Sequence, residues 1–108
     1  MNERTWRLKE AEDWIIRACM EKRRRTPNEP CLRLMFPLPV SPDAPPDTLI
    51  REAFVLLEAM GVVTGGLIQT ANAGPIGINR LCLTPQAVER IEAHENEEKP
   101  RIGFDDDP

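Results

Sequence analysis

Four side chains are soft enough to ligate a metal or to act as nucleophile and base: Cys19, Cys31, Cys82 and His94. Four is the number a structural zinc takes. Their separations of twelve, fifty-one and twelve residues contain no close Cys-x2-Cys or His-x3-His pair, and such short pairs seed a tetrahedral site. Cys82 with His94 as thiol and base is no better placed, because Cys82 alternates with Leu81 and Leu83 in a strand pattern while His94 sits near a helix end. That arrangement reads as a buried, inert thiol and a surface imidazole. "TGGL" and "GPIG" supply glycines without the lysine or the strand-loop-helix setting of a phosphate loop. No metal, no cofactor and no enzymatic chemistry are expected from this set.

The cysteine count also bears on the compartment. Three widely spaced cysteines among apolar neighbours fit reduced core thiols, and so a cytoplasmic protein. The longest mainly apolar run, residues 34–40, is broken by Pro37 and Pro39, and charged residues crowd the N-terminus, so neither a membrane span nor a signal segment is expected. At 108 residues the chain has room for one domain. Its net charge of -4 is unevenly distributed. Residues 1–94 carry twelve acidic and twelve basic side chains, whereas 95–108 carry six acidic against Lys99 and Arg101. A balanced domain over 1–94 and an acidic, disordered tail over 95–108 follow.

Periodicity then assigns the elements. Over residues 5–25, Leu8, Ala11, Trp14, Ile15, Ala18 and Cys19 fall on one side of a helix. Residues 31–38 alternate, with Leu32, Leu34, Phe36 and Leu38 on one face, and Pro37 directs that strand to a sheet edge. A second helix runs from Asp47, read as its cap, to Gly61 as its C′ residue. One half of its wheel holds Leu49, Ile50, Ala53, Phe54, Leu56, Leu57 and Met60. The outward half holds Thr48, Arg51, Glu52, Val55, Glu58 and Ala59. Residues 62–83 make a hairpin with a turn-rich tip at 71–75, and Thr84 with Pro85 starts a short helix expected to end near His94. The core is expected to take Leu32, Leu34, Phe54, Leu57, Leu67, Leu81, Leu83, Val88 and Ile91.

Helix, edge strand, helix, long-tipped hairpin and closing helix is the order of a winged-helix domain, an α+β fold. The run "LLEAMGVV" resembles the end of the recognition helix and the start of the wing in bacterial winged-helix regulators, and "RLCLTPQAVERI" is similar to their exit from the wing. The likeness extends to small winged-helix proteins of phages and prophages. It covers residues 54–91. Ala87 stands where that pattern has glycine, and the short helix before the recognition helix is replaced by "VSPDAPPD".

The resemblance implies two kinds of partner. A DNA-binding transcriptional regulator would read bases with helix 47–60 and the wing 64–80, using Arg51, Asn72, Asn79 and Arg80 near bases and Arg23, Arg24 and Arg25 on phosphate. Yet Asp47, Glu52 and Glu58 accompany Arg51 on that helix, where a phosphate lattice would repel them. A protein partner suits the outward residues better: Trp6, Arg17, Met20 and Arg24 form a strip on the first helix, with Val55 on the second. The expectation is therefore a non-enzymatic protein-interaction module or modulator, with a homodimer through Trp6 and Met20 also open.

Overall fold

The computed structural model describes residues 5–38, 43–72 and 74–104, side chains at 74–75 and 96–104 excepted. The elements are α1 (Leu8–Arg25), β1 (Leu32–Met35), α2 (Asp47–Ala59), β2 (Val63–Thr70), β3 (Gly74–Leu83) and α3 (Pro85–Phe104). The strands form one antiparallel sheet in the order β1-β3-β2. The chain is thus α+β, with three helices and a three-stranded sheet. Ala11, Ile15 and Cys19 of α1 meet Ile50, Ala53, Phe54 and Leu57 of α2 over Val63, Ile78 and Leu81 of the sheet. Leu32, Leu34, Leu67 and Leu83 ring this core half-buried, and Val88 is buried while Ile91 is half-buried.

Helix ends follow from local hydrogen bonds. α1 starts at Leu8 rather than near residue 5, because the Glu10 carboxylate turns back to accept the Arg7 N–H at 3.0 Å. α2 has Pro46, not Asp47, at its N-cap. Asp47 is drawn elsewhere, its Oδ1 accepting the Leu38 N–H at 3.3 Å. At the far end Gly61 has φ 77°, and its N–H donates to Glu58 O at 3.0 Å while Val62 N–H donates to Leu57 O at 2.9 Å. This pair of bonds stops the helix and needs the left-handed conformation that glycine adopts freely. Thr84 caps α3, its hydroxyl accepting the Ala87 N–H at 3.2 Å and donating to Gly61 O at 2.7 Å. α3 then continues past His94 to Phe104. Residues 105–108 of the expected acidic tail, and 39–42 of the proline-rich loop, lie outside the described residues.

One irregularity sets the sheet's faces. Ile78 and Leu81 are both fully buried though three residues apart, a spacing that strict alternation would split between opposite faces. Leu34 pairs with Ile78 and Leu32 with Leu81, and on the other side Gly66 pairs with Asn79 and Thr64 with Cys82. β3 therefore carries one extra residue against both neighbours. Arg80 supplies it, at φ 56°. A side chain in this left-handed region costs about 1–2 kcal/mol, of which the extra chain entropy of glycine takes back about 0.5–1. Arg80→Gly should raise the unfolding free energy by about 0.5–1 kcal/mol. A urea titration with an unchanged or lowered midpoint would contradict the bulge assignment.

The cysteines depart from expectation. Cys31 and Cys82 form a disulfide, with Cα atoms 4.7 Å apart. The Leu32–Leu81 pairing makes them directly opposed residues on the outer face of β1 and β3, where antiparallel geometry brings Cα atoms closest. Only Cys19 is a free thiol. Three reduced thiols were the ground for a cytoplasmic setting, and two of them are bonded. Among the described residues no helix is long and apolar enough to cross a membrane.

Candidate functional site

An open groove lies on the outward face of α2. Thr48, Arg51, Glu52, Val55 and Leu56 line it, with Leu8 from the start of α1 and Leu67 from β2, and it encloses about 700 Å³. Its origin is the width of α2's apolar arc. Ile50, Ala53, Phe54 and Leu57 form a stripe at helical spacing that the core covers completely. Leu56 lies roughly 110° from the centre of that stripe at 100° per residue, beyond its reach. Leu56 is 41% exposed, Val55 51% and Met60 60%. Leu56 and Met60, on the apolar half of the wheel, are thus exposed. One stripe of a 13-residue helix faces α1 and the sheet, and these two flank it.

Arg51 is the polar feature of the groove. It is half-buried, and its guanidinium carbon stands 5.8 Å from the centroid of the Phe36 ring, within reach of a cation–π contact. Its Nε–H is buried and has no acceptor among the described residues. A buried donor left without a partner costs about 1–3 kcal/mol, and more when charged. Folded over Phe36, this arginine is not a free arm reaching outward from α2.

The other residues expected to meet DNA are dispersed. Asn79 and Arg80 are exposed on β3 and line a separate hollow of about 400 Å³ with Thr64, Gly65 and Gly66. Asn72 is exposed at the hairpin tip. Arg23, Arg24 and Arg25 are exposed at the end of α1. Of these, Arg24 is engaged, its Nη2 lying 3.4 Å from Glu95 Oε2 of α3.

The α1 strip expected to meet a protein is also broken. Arg17 is exposed, but Met20 is only 7% exposed. The reason is α3. Ile16 shares a hollow with Ala87, Arg90 and Ile91 of that helix, and the Arg24–Glu95 pair lies one turn beyond Met20, so this side of α1 faces α3 rather than solvent. Trp6 precedes α1 and is half-buried. A homodimer built on Trp6 and Met20 loses its second anchor. Of the residues picked for a protein interface, Val55 is the one in the groove; Leu56 and the inner residues Leu8 and Leu67, which also pack against the core, complete its apolar wall.

Cys19 illustrates what the interior does to the one free thiol. Burial pushes its pKa up from 9.0 to about 12, because a thiolate there would lose its hydration. Its Sγ–H points toward Leu81 O at 3.9 Å. It stays protonated and unreactive at neutral pH. Iodoacetamide should leave Cys19 unmodified in the native protein and label it fully in 6 M guanidinium, as read by intact mass. The same shift makes the native state lose stability as pH rises above 9.0, where the unfolded thiol ionises and the folded one does not, until the folded pKa near 12 is passed. Labelling at native pH would contradict both statements. Comparison with family models, curated proteins and solved structures finds no match to this chain.

Proposed function

We propose that the chain is a non-enzymatic binding module of winged-helix type whose partner is a protein, bound on the outward face of α2. The observation that carries this reading is the make-up of that face. Where a DNA reader would present Arg, Lys, Asn and Gln to base edges, α2 presents Val55 and Leu56 at 51% and 41% exposure, and Glu52 with Thr48 on the groove wall. Its single cation, Arg51, is turned over Phe36. Exposed apolar side chains grouped along one helix face, bordered by polar ones, are the ordinary composition of a protein-binding surface. A modulator of a host complex, of the kind small phage proteins supply, fits this reading.

The test sets protein capture against DNA. Tagged wild-type chain and its Val55→Glu variant are used as bait in an extract of cells that carry the protein, beside a mobility-shift titration of the wild type on pooled genomic fragments at low and moderate salt. A stoichiometric protein captured by the wild type and at least about tenfold depleted with Val55→Glu is expected, because a charge buried at the centre of an interface removes more than the 1.4 kcal/mol that a factor of ten represents. Submicromolar, sequence-selective DNA binding lost on Arg51→Ala, with no Val55-dependent partner, would install a transcriptional regulator instead.

A further inference from the structure

Resting on that reading, we infer that the α2 groove takes an amphipathic helical segment of its partner, and that a carboxylate on this segment pairs with Arg51. Two observations on this chain set the chemistry of the occupant. The first is the shape and lining of the groove. Its walls are Leu8, Val55, Leu56 and Leu67. From Thr48 to Leu56 the α2 wall of the groove extends ~12 Å at 1.5 Å per residue. That length takes about two turns of a docked helix, which grips such a surface through side chains at i, i+3 or i+4, and i+7.

The second observation is the charge. Arg51 lines the groove and carries a buried Nε–H with no acceptor among the described residues. A guanidinium is a planar fork matched to a carboxylate by two parallel hydrogen bonds, and an apolar surround strengthens such a pair. Glu52 stands next to it on the groove wall and repels a carboxylate placed in any other register. The occupant is thereby specified: two or three apolar side chains against Val55, Leu56 and Leu67, with one Asp or Glu at a fixed spacing toward Arg51.

A displayed library of 20-residue amphipathic helices, randomised on one face, is panned against the full chain. Winners are then measured against wild type, Arg51→Gln and Val55→Asp, each variant first checked by circular dichroism for a native melt. Winners should share an acidic residue at one spacing from their apolar positions. Arg51→Gln should weaken them about tenfold or more, the effect of a lost charge-assisted pair. Replacing the acid by its amide should cost as much on wild type but nothing further on Arg51→Gln, the mark of a direct pair in a double-mutant cycle. Winners that need Val55 but show no acidic preference would overturn this inference and leave the protein-binding reading standing. An absence of winners, or sedimentation of the chain as a dimer whose Val55→Asp variant is monomeric, would overturn it too, the latter naming a second copy as the occupant.

Discussion

Phe54→Ala should lower the unfolding free energy by about 3–5 kcal/mol, a large share of the 5–15 kcal/mol typical of a domain. Phe54 is 2% exposed and belongs to the core stripe of α2. Its ring packs on bare backbone: a Cβ built at Gly65 would come within 3.1 Å of Phe54 Cε1. No side chain at position 65 can move in to fill the space that truncation leaves, so the cavity persists. The neighbouring Val55→Ala is the control. At 51% exposure it should shift stability by no more than about 0.5 kcal/mol. Urea titrations followed by tryptophan fluorescence report both. Equal losses for the two variants would mean that α2 is rotated about its axis, and the groove would go with it.

The second large effect is expected at the disulfide. Cys31 and Cys82 are separated by 51 residues, and closing a loop of that length removes chain entropy from the unfolded state worth about 4 kcal/mol at 25 °C. The bridge also ties the edge strand β1 to β3, the strand both others need. Cys31→Ser with Cys82→Ser, or reduction of the wild type, should lower the melting temperature by roughly 15–30 °C, given 4–8 °C per kcal/mol for a domain near this size. Reduction should change nothing further in the double variant. Melts of oxidised and reduced wild type that coincide would contradict a structural role for the bond.

The parts legible in the sequence are those written locally. Ile50, Ala53, Phe54 and Leu57 announce α2 by their spacing, Gly61 announces its end, and Thr84-Pro85 announces α3. What stayed hidden depends on pairing between distant segments. Nothing in the neighbourhood of Cys31 or Cys82 says that β1 will meet β3 in the register that opposes them. The bulge at Arg80 is equally silent, since its cause lies in the need to bury both Ile78 and Leu81. Met20 fails for the same reason: a helical wheel sees one neighbour, and α1 has α3 along a second side.

The groove was half legible. Val55 amid the polar residues of α2 is a signal in the sequence. Leu56 and Met60, at the margins of the apolar arc, can face core or solvent depending on how much surface α1 and the sheet cover. That Arg51 would fold over Phe36, some fifteen residues earlier, required the structure. This placement sets one cation in the wall of a largely apolar groove.

The most direct measurement is an NMR titration of methyl-labelled full-length chain with the captured partner, or with a library-selected helix, and separately with duplex DNA. Saturable shifts of the Val55, Leu56, Leu67 and Leu8 methyls are expected with the protein ligand, while the amides of Asn79, Arg80 and residues 23–25 stay in place. Saturable shifts confined to Asn79, Arg80 and residues 23–25 on adding DNA, with the α2 methyls unmoved by any protein ligand, would contradict the protein-binding reading.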